Sequence, residues 1–209
     1  MTVHHDRPLV DKAASPSRRD EKTALIRESI MSAALEVFSE DTFTGARVQT
    51  VAARANVALG TIYNHFENKE ALANEVYRRC KTDSTLFCVD PNAGGSTRET
   101  FGRWWATLVN FYTAHPQAFV FLETQDHTRF LDDRSRNLGA KVDEAVLADF
   151  RNWQESGEVR LGDPKLLLSM MVAVFAAIVR ATEHTGHPPH SVALELGEDS
   201  AWAMLKAPQ

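Results

Sequence analysis

At 209 residues the chain is long enough for one large or two modest hydrophobic cores. It is rich in Ala, Leu, Glu and Arg, and no stretch alternates apolar and polar residues as a half-buried strand does, so an all-α protein is the expected class. The formal net charge of −5 weighs against an anionic partner only until it is divided: residues 1–80 hold 11 Lys+Arg and 11 Asp+Glu, net 0, whereas residues 81–209 hold 12 and 17, net −5.

Residues 1–20 contain Pro8, Ser15, Pro16, Ser17 and many charges without periodicity, and read as a disordered arm. A first helix is predicted from about Thr23 to Ser39, with Ile26, Ile30, Ala33, Ala34, Val37 and Phe38 facing inward.

The stretch from Val48 to Glu70, VQTVAARANVALGTIYNHFENKE, is the most informative. Val48, Val51, Ala52 and Ala55 fall at i, i+3, i+4 and i+7, one apolar helix face. Leu59, Ile62, Tyr63 and Phe66 repeat the spacing. Between them, Asn56 tolerates the left-handed backbone that a tight inter-helix turn needs. Two helices this short make sense as a helix-turn-helix, the second free to enter a DNA major groove. Its outer face, Ala58, Gly60, Thr61, Asn64 and His65, is small or polar and carries no acid. Thr61, Tyr63 and His65 can bond phosphates, and Asn64 can read a base edge. Lys69 follows at the start of the next helix, with Asn68 as its N-cap, a suitable phosphate clamp.

GTIYNHFENKEAL, preceded by VQTVAARANVAL, resembles the DNA-binding signature of the tetracycline-repressor (TetR) type regulators. Gly60, Thr61, Ile62, Tyr63, His65, Phe66, Lys69, Glu70 and Leu72 match in register, and the likeness covers roughly residues 23–80. Three departures stand out. Asn56 replaces the usual turn glycine. Ala46 and Arg47 replace the residues that cap helix 2, so Thr44 substitutes as the cap or the helix starts later, and Arg47 becomes a further phosphate contact. Ile62 replaces Leu, a volume-conserving core change. The resemblance assigns DNA contacts to Arg47, Gln49, Ala58, Leu59, Gly60, Thr61, Tyr63, Asn64, His65 and Lys69. Local positive charge must come from Arg18, Arg19, Lys22, Arg47, Arg54 and Lys69, a modest patch that a dimer would double. The first three residues of that set either reach the adjacent minor groove or phosphates, or belong to a solvated tail.

Three segments result: the arm, 1–20; a helix-turn-helix domain, 21–68; and a helical ligand-binding and dimerisation domain, 69–209. Helix 4 starts at Lys69 and ends before the loop Asp90-Pro91-Asn92-Ala93-Gly94-Gly95. Ser96 or Thr97 then caps a helix through Tyr112, and Pro116 opens another. A long helix runs from about Asp132 to Ser156 and stops at Gly157. Asp163-Pro164 starts a helix to about Thr185 that is apolar almost all round, and the last helix spans roughly Ser191 to Lys206, with Gly197 a place for a bend. An all-round apolar helix needs cover on every side. With the last helix it is expected to form a four-helix homodimer interface, in preference to a monomer core, and two-fold symmetry suits a palindromic operator.

The resemblance further implies an effector pocket in the C-terminal domain. Candidate lining residues are Trp104, Trp105, Leu108, Phe111, Tyr112, Phe119, Leu122, Glu123, Phe150, Trp153, Met170, Met171 and Phe175, although each is as readily plain core. Tyr112, Glu123, Gln125 and His127 could orient a hydrophobic or aromatic small molecule. Glu123, Asp126 and His127 are placed on one helix, as a metal or ligand-amine site or, preferably, a solvated face or ion-pair cluster. His184, His187 and His190 have loop-like spacing and weigh against a metal site, and no cofactor is called for. Cys80 and Cys88 fit no zinc signature and read as structural thiols, with a redox pair as the alternative. No signal peptide is apparent, and the longest apolar run, Leu166–Val179, is 14 residues against the ~20 that span a bilayer, so a cytoplasmic protein without membrane contact is expected.

No phosphate loop, Gly-x-Ser-x-Gly or His-Glu-x-x-His is present, so catalysis is not expected. The competing readings are a small helical enzyme using Glu123 and His127, and a helical interaction module. Neither gives a reason to keep Gly60, Thr61, Asn64 and His65 uncharged beside Tyr63 and Lys69. The favoured reading is a DNA-binding transcriptional regulator, a repressor released by its effector.

Overall fold

The computed structural model describes residues 17–85, 94–183 and 189–208; among them lie nine α-helices and one isolated bridge between Val159 and Lys206. The helices are α1 (Arg18–Glu40), α2 (Val48–Arg54), α3 (Leu59–His65), α4 (Lys69–Ser84), α5 (Thr97–Ala114), α6 (Pro116–Thr124), α7 (Asp133–Glu155), α8 (Pro164–Glu183) and α9 (Ser191–Leu205).

Local chemistry sets most boundaries. Ser17 and Asp20 close a capping box at the start of α1, as Ser96 and Glu99 do for α5. Asn68, Asp132 and His190 cap α4, α7 and α9 through their side chains. Asp163 Oδ1 accepts from Lys165 N at 2.9 Å beside Pro164, the first residue of α8. Gly157, at φ 77°, follows the end of α7.

Several expectations are corrected. The first helix starts at Arg18, so residues 18–20 and the cations Arg18, Arg19 and Lys22 stand on helical turns, not in an arm; the capping box supplies the stop that compositional bias hid. Residues 1–16, Cys88, His184 and His187 lie outside the described residues. No side chain caps α2: Arg47 occupies the N-cap position, and the Thr44 hydroxyl sits 3.4 Å from Arg129 Nη1. Asp126 and His127 are not on the helix of Glu123, because α6 ends at Thr124. α9 runs as one helix, Ser191–Leu205, through Gly197. A Cβ there would meet Ile178 Cδ1 at 2.2 Å and Trp105 Cζ2 at 2.9 Å, so the glycine lets α9 approach α8 and α5.

One hydrophobic cluster runs through the molecule, from Ile30 and Phe38 of α1 to Phe119, Phe150, Phe175 and Leu205. α1 packs on α2, α4 and α6, and α4 continues onto α6 and α7. Phe38 stacks on Phe121 of α6 at 6.0 Å, and Phe43 meets Phe130 at 4.6 Å, so no gap separates residues 21–68 from the remainder. α5, α6, α7 and α8 enclose the C-terminal core, with α9 laid on α8 and α5. The helical stretch Pro164–Thr182 is 19 residues long and, by length and composition alone, apolar enough to cross a bilayer, longer than the 14-residue run Leu166–Val179, which Ser169 interrupts. Here one side of that helix, Leu167, Met171, Phe175, Ala176 and Val179, is buried in the core.

Candidate functional site

α2 and α3 form the expected turn. Val48, Val51, Ala52 and Ala55 are buried. Asn56 adopts φ 53°, Val57 N donates to Ala52 O at 3.0 Å and Asn56 N to Ala53 O at 3.2 Å, the bonding of a left-handed helix stop. Ser29 Oγ donates to Ala55 O at 3.2 Å and ties the turn to α1.

Of the four apolar positions in α3 and its C-cap, Ile62 and Phe66 are buried, but Leu59 is 37% and Tyr63 49% exposed. The helix therefore turns Ala58, Leu59, Gly60, Tyr63 and Asn64 outward, with Thr61 and His65 at the margin. A Cβ at Gly60 would meet nothing within 4 Å, so the fold itself has no need of glycine there. Its bareness leaves room for close approach from outside. Among the described residues, no side-chain hydrogen bond occupies Gln49, Tyr63 or Asn64, and no ion pair occupies Arg47, so these groups remain available to a partner.

Two cations behave otherwise. Arg54 binds Glu40 through both guanidinium nitrogens and lies 3.9 Å from Glu36, so it drops out of the expected positive patch. Lys69 Nζ sits 4.4 Å over the Phe43 ring, and desolvation draws its pKa below the usual lysine value against a smaller opposing pull from Glu70.

A cavity of about 390 Å³ opens among α4, α5, α6, α7 and α8. Seven of the thirteen residues expected around a pocket line it: Trp104, Leu108, Phe111, Phe119, Leu122, Glu123 and Met171. The other six do not. Trp105, Phe150, Trp153 and Phe175 are locked into the core, Tyr112 stands edge-on to Phe119 and Phe175, and Met170 is a half-buried packing residue. Gln125 is drawn away by a hydrogen bond from its Nε2 to Phe38 O. Residue type alone could not separate these aromatic positions from the cavity wall.

The cavity has a polar end. Tyr77 and Lys81, one turn apart on α4, meet Glu123 of α6, His127 beyond it, and Asp143 of α7. Lys81 Nζ pairs with Asp143 Oδ1 at 3.0 Å. Burial opposes the ammonium, but Glu123, Asp143 and Tyr77 more than offset it, and its pKa is raised. Desolvation pushes the Glu123 carboxyl upward, Lys81 pulls it back and Asp143 adds to the rise. Although accessible to water, Glu123 opens onto the cavity. His127 Nε2 lies 2.7 Å from Phe121 O, an acceptor only, so the ring nitrogen donates. Burial lowers the pKa of that imidazole. Burial likewise raises that of the Tyr77 phenol. Trp104 Nε1 donates to Asp149 Oδ2 at 2.9 Å, which fixes the indole against the cavity.

Tyr77, Lys81 and Asp143 were missed because charged and amphipathic residues on long helices read as solvated faces; the i, i+4 pairing of Tyr77 with Lys81 was the available signal. Cys80, beside them in sequence, is buried and its thiol is pushed up to about 12, which leaves it a packing residue and not a nucleophile.

Residues 30–76 match the family described as bacterial regulatory proteins, tetR family, and residues 81–207 match the tetracyclin repressor-like C-terminal domain. Over 128 residues the chain is 30% identical to the HTH-type transcriptional repressor NicS of Pseudomonas putida, which covers 57% of the chain and 58% of NicS. It is 36% identical over 58 residues to the HTH-type transcriptional repressor DhaR of a Mycobacterium species, 28% of the chain and 29% of DhaR. The match thus spans less than two thirds of either relative. A crystal structure of a TetR family transcription regulator from Marinobacter aquaeolei shares the fold, with TM-score 0.74, 19% identity, and coverage of 90% of this chain and 99% of that one. The chain belongs to the TetR family.

Proposed function

We propose that the chain is a homodimeric, operator-binding transcriptional repressor, cytoplasmic, released from DNA by a small hydrophobic or aromatic effector held in the α4–α8 cavity. The observation that carries the DNA-binding part is the outer face of α3: acid-free, with Tyr63 and Asn64 unpaired and Gly60 open to close approach although the fold does not require it. Arg47, Gln49 and Lys69 flank it for phosphate contact, and Leu59, Ala58, Thr61 and His65 complete the surface. The repressor names of NicS and DhaR support the sign of regulation.

Dimerisation through α8 and α9 is supported by their outer faces. Leu166 is 59%, Val192 66% and Leu196 68% exposed, and Ala177 and Ala203 on the same two helices are exposed as well. Such surface is costly to leave in water and is small enough in relief for close helix packing. Two copies would present two α3 helices to a palindromic operator.

Effector and operator would be linked through α4. Tyr77 and Lys81 stand in the cavity wall, and Lys69 opens the same helix at the DNA end. A ligand that binds better to one spacing of the paired α3 helices lowers DNA affinity by the factor that DNA lowers its own.

The test is selection of bound fragments from a random or genomic DNA pool by the purified protein across a salt series. A palindrome with two half-sites and a steep salt slope is the expected result. Recovery without sequence preference would overturn the operator reading.

A further inference from the structure

The polar end of the cavity has an unequal charge set. Every ionisable group facing it can be named. Tyr77 is held neutral by its raised pKa and His127 by its lowered one. Lys81 is the cation, and Asp143 and Glu123 are the two carboxylates. Asp143 takes the lysine at 3.0 Å. Glu123 has no hydrogen bond and no ion pair within 4 Å to any described residue. Lys165 also lines the cavity, from the first turn of α8, and is exposed as Glu123 is; the charges that act on Glu123 are Lys81 and Asp143. The polar end therefore holds one carboxylate more than it can pair.

The remaining wall is apolar and partly aromatic: Trp104, Phe111, Phe119, Leu108 and Met171. An anionic ligand would have to face Glu123 and compete with Asp143 for Lys81. A metal ion is not suited either, since no group of three or more potential ligands converges among the described residues. His127 also has its Nε2 engaged by Phe121 O.

We propose that this cavity takes an amphipathic organic cation, an aromatic or bulky apolar body carrying a protonated or quaternary nitrogen, with Glu123 as its counter-ion. The inference rests on the reading of the cavity as the effector site. The nitrogen supplies the missing positive charge at Glu123, and the body fills the space between Trp104, Phe111 and Phe119, an aromatic lining compatible with a cation. Glu123 sheds any proton it carries to solvent as the cation enters, because an adjacent positive charge stabilises the ionised form. The same arrangement gives selectivity: a neutral analogue of the same shape leaves the carboxylate unpaired.

A matched series tests this on the full-length protein by calorimetry: 1-naphthylmethylammonium, 1-naphthalenemethanol and 1-naphthoate. The ammonium ion is expected to bind at least about tenfold more tightly than the alcohol, the scale of one charge-assisted contact, and the naphthoate most weakly. Glu123→Gln should erase the preference for the ammonium ion while leaving alcohol affinity unchanged, which a merely structural role would not do. Leu108→Trp, with its fold verified by thermal melting, fills the cavity and should abolish binding of all three.

Equal affinity for amine and alcohol, tighter binding of naphthoate, or an ammonium preference that survives Glu123→Gln overturns the counter-ion assignment. If Leu108→Trp still blocks binding in those cases, the cavity reading stands without it. Binding that persists in Leu108→Trp places the ligand elsewhere and overturns both. Failure of all three probes to bind the wild type also overturns the proposal for aromatic cations.

Discussion

Gly139 offers the sharpest test of how α4 is fitted to α7. A Cβ built at this position lies 2.5 Å from Tyr77 Oη and 3.5 Å from Tyr77 Cζ. Ordinary contact starts near 3.4 Å, so Gly139→Ala forces the hydroxyl back by about 0.9 Å, the difference between 3.4 and 2.5. Tyr77 is buried and packs edge-on to His127 at 5.2 Å, so it has little room to retreat. Overpacking of this kind costs about 1–3 kcal/mol. Alanine in a helix interior recovers about 1 kcal/mol over glycine. A net destabilisation of about 1 kcal/mol is expected. Tyr77→Phe removes Oη and leaves Cζ, at 3.5 Å, as the nearest atom, so in that background the same substitution should stabilise by up to about 1 kcal/mol. The sign should reverse between backgrounds, a coupling of about 2 kcal/mol. Urea unfolding followed by helical circular dichroism reads it as opposite shifts of midpoint at constant slope. Equal shifts in both backgrounds, or stabilisation in the wild type, would refute the claimed contact.

At the DNA face, Tyr63→Phe and Lys69→Ala should weaken binding to all sequences alike, whereas Asn64→Ala should relax preference at one base position; fluorescence anisotropy over an operator mutant panel separates the two. Arg47→Ala should lower the logarithmic salt slope by about 1 per protomer, while Arg54→Ala, which removes a guanidinium already bound by Glu40, should leave it unchanged. Leu196→Glu should convert the dimer to monomer in sedimentation and abolish operator binding without loss of helicity. Glu123→Gln should raise the melting temperature near neutral pH. The folded state holds the Glu123 proton more tightly than the unfolded chain, so wild-type stability falls as pH rises past the usual carboxylate value of 4.5 through the raised folded value; the advantage of the variant should vanish below that range.

Local signals carried the helix boundaries. Ser96, Asn68, Asp132, Asp163-Pro164 and Gly157 act through bonds to backbone groups within a few residues, so sequence spacing suffices to read them. The turn at Asn56 is equally local, since its φ of 53° is a property of one residue and its neighbours. The start of α1 is a capping box of the same local kind, but the charged residues around it have the composition of a tail and mask it. The cavity is different in kind. It exists where five helices fail to fill the space between them, and that depends on crossing geometry no single helix encodes. Trp104 and Trp105 are adjacent in sequence, yet only Trp104 reaches the cavity; Trp105 turns to Phe175 at 5.5 Å and leans on Gly197. Lys81 and Asp143 are 62 residues apart, and only the packing of α4 on α7 shows that they are partners instead of two solvated charges.

The same packing decides how the cavity could communicate with α3. α4 is held to its surroundings through its middle turns by polar contacts with little slack. Asn74, buried, donates to Phe130 O at 2.7 Å and accepts from Asp132 N at 2.9 Å, which fastens mid-α4 to the start of α7. Arg78 bonds Ser135 Oγ at 2.8 Å and pairs with Asp132 and Glu75. Glu75 in turn meets Arg27 of α1 at 3.2 Å, and Arg79 pairs with Glu28. Arg27 lies 4.5 Å over the ring of Phe66, which closes the helix-turn-helix core. A ligand that enters against Tyr77 and Lys81 acts on the helix that also carries Asn74, Arg78 and Glu75. α1 packs on that helix, and α3 is tied to α1 through α2 and through Phe66 under Arg27, so the unit cannot remain behind without opening buried contacts. Small displacements at the cavity are therefore expected to move the whole reading unit as a body, instead of loosening α3 alone. Hydrogen exchange with ligand bound should leave amides of α2 and α3 as protected as in the free protein, and unprotected α3 amides would overturn the rigid-body account.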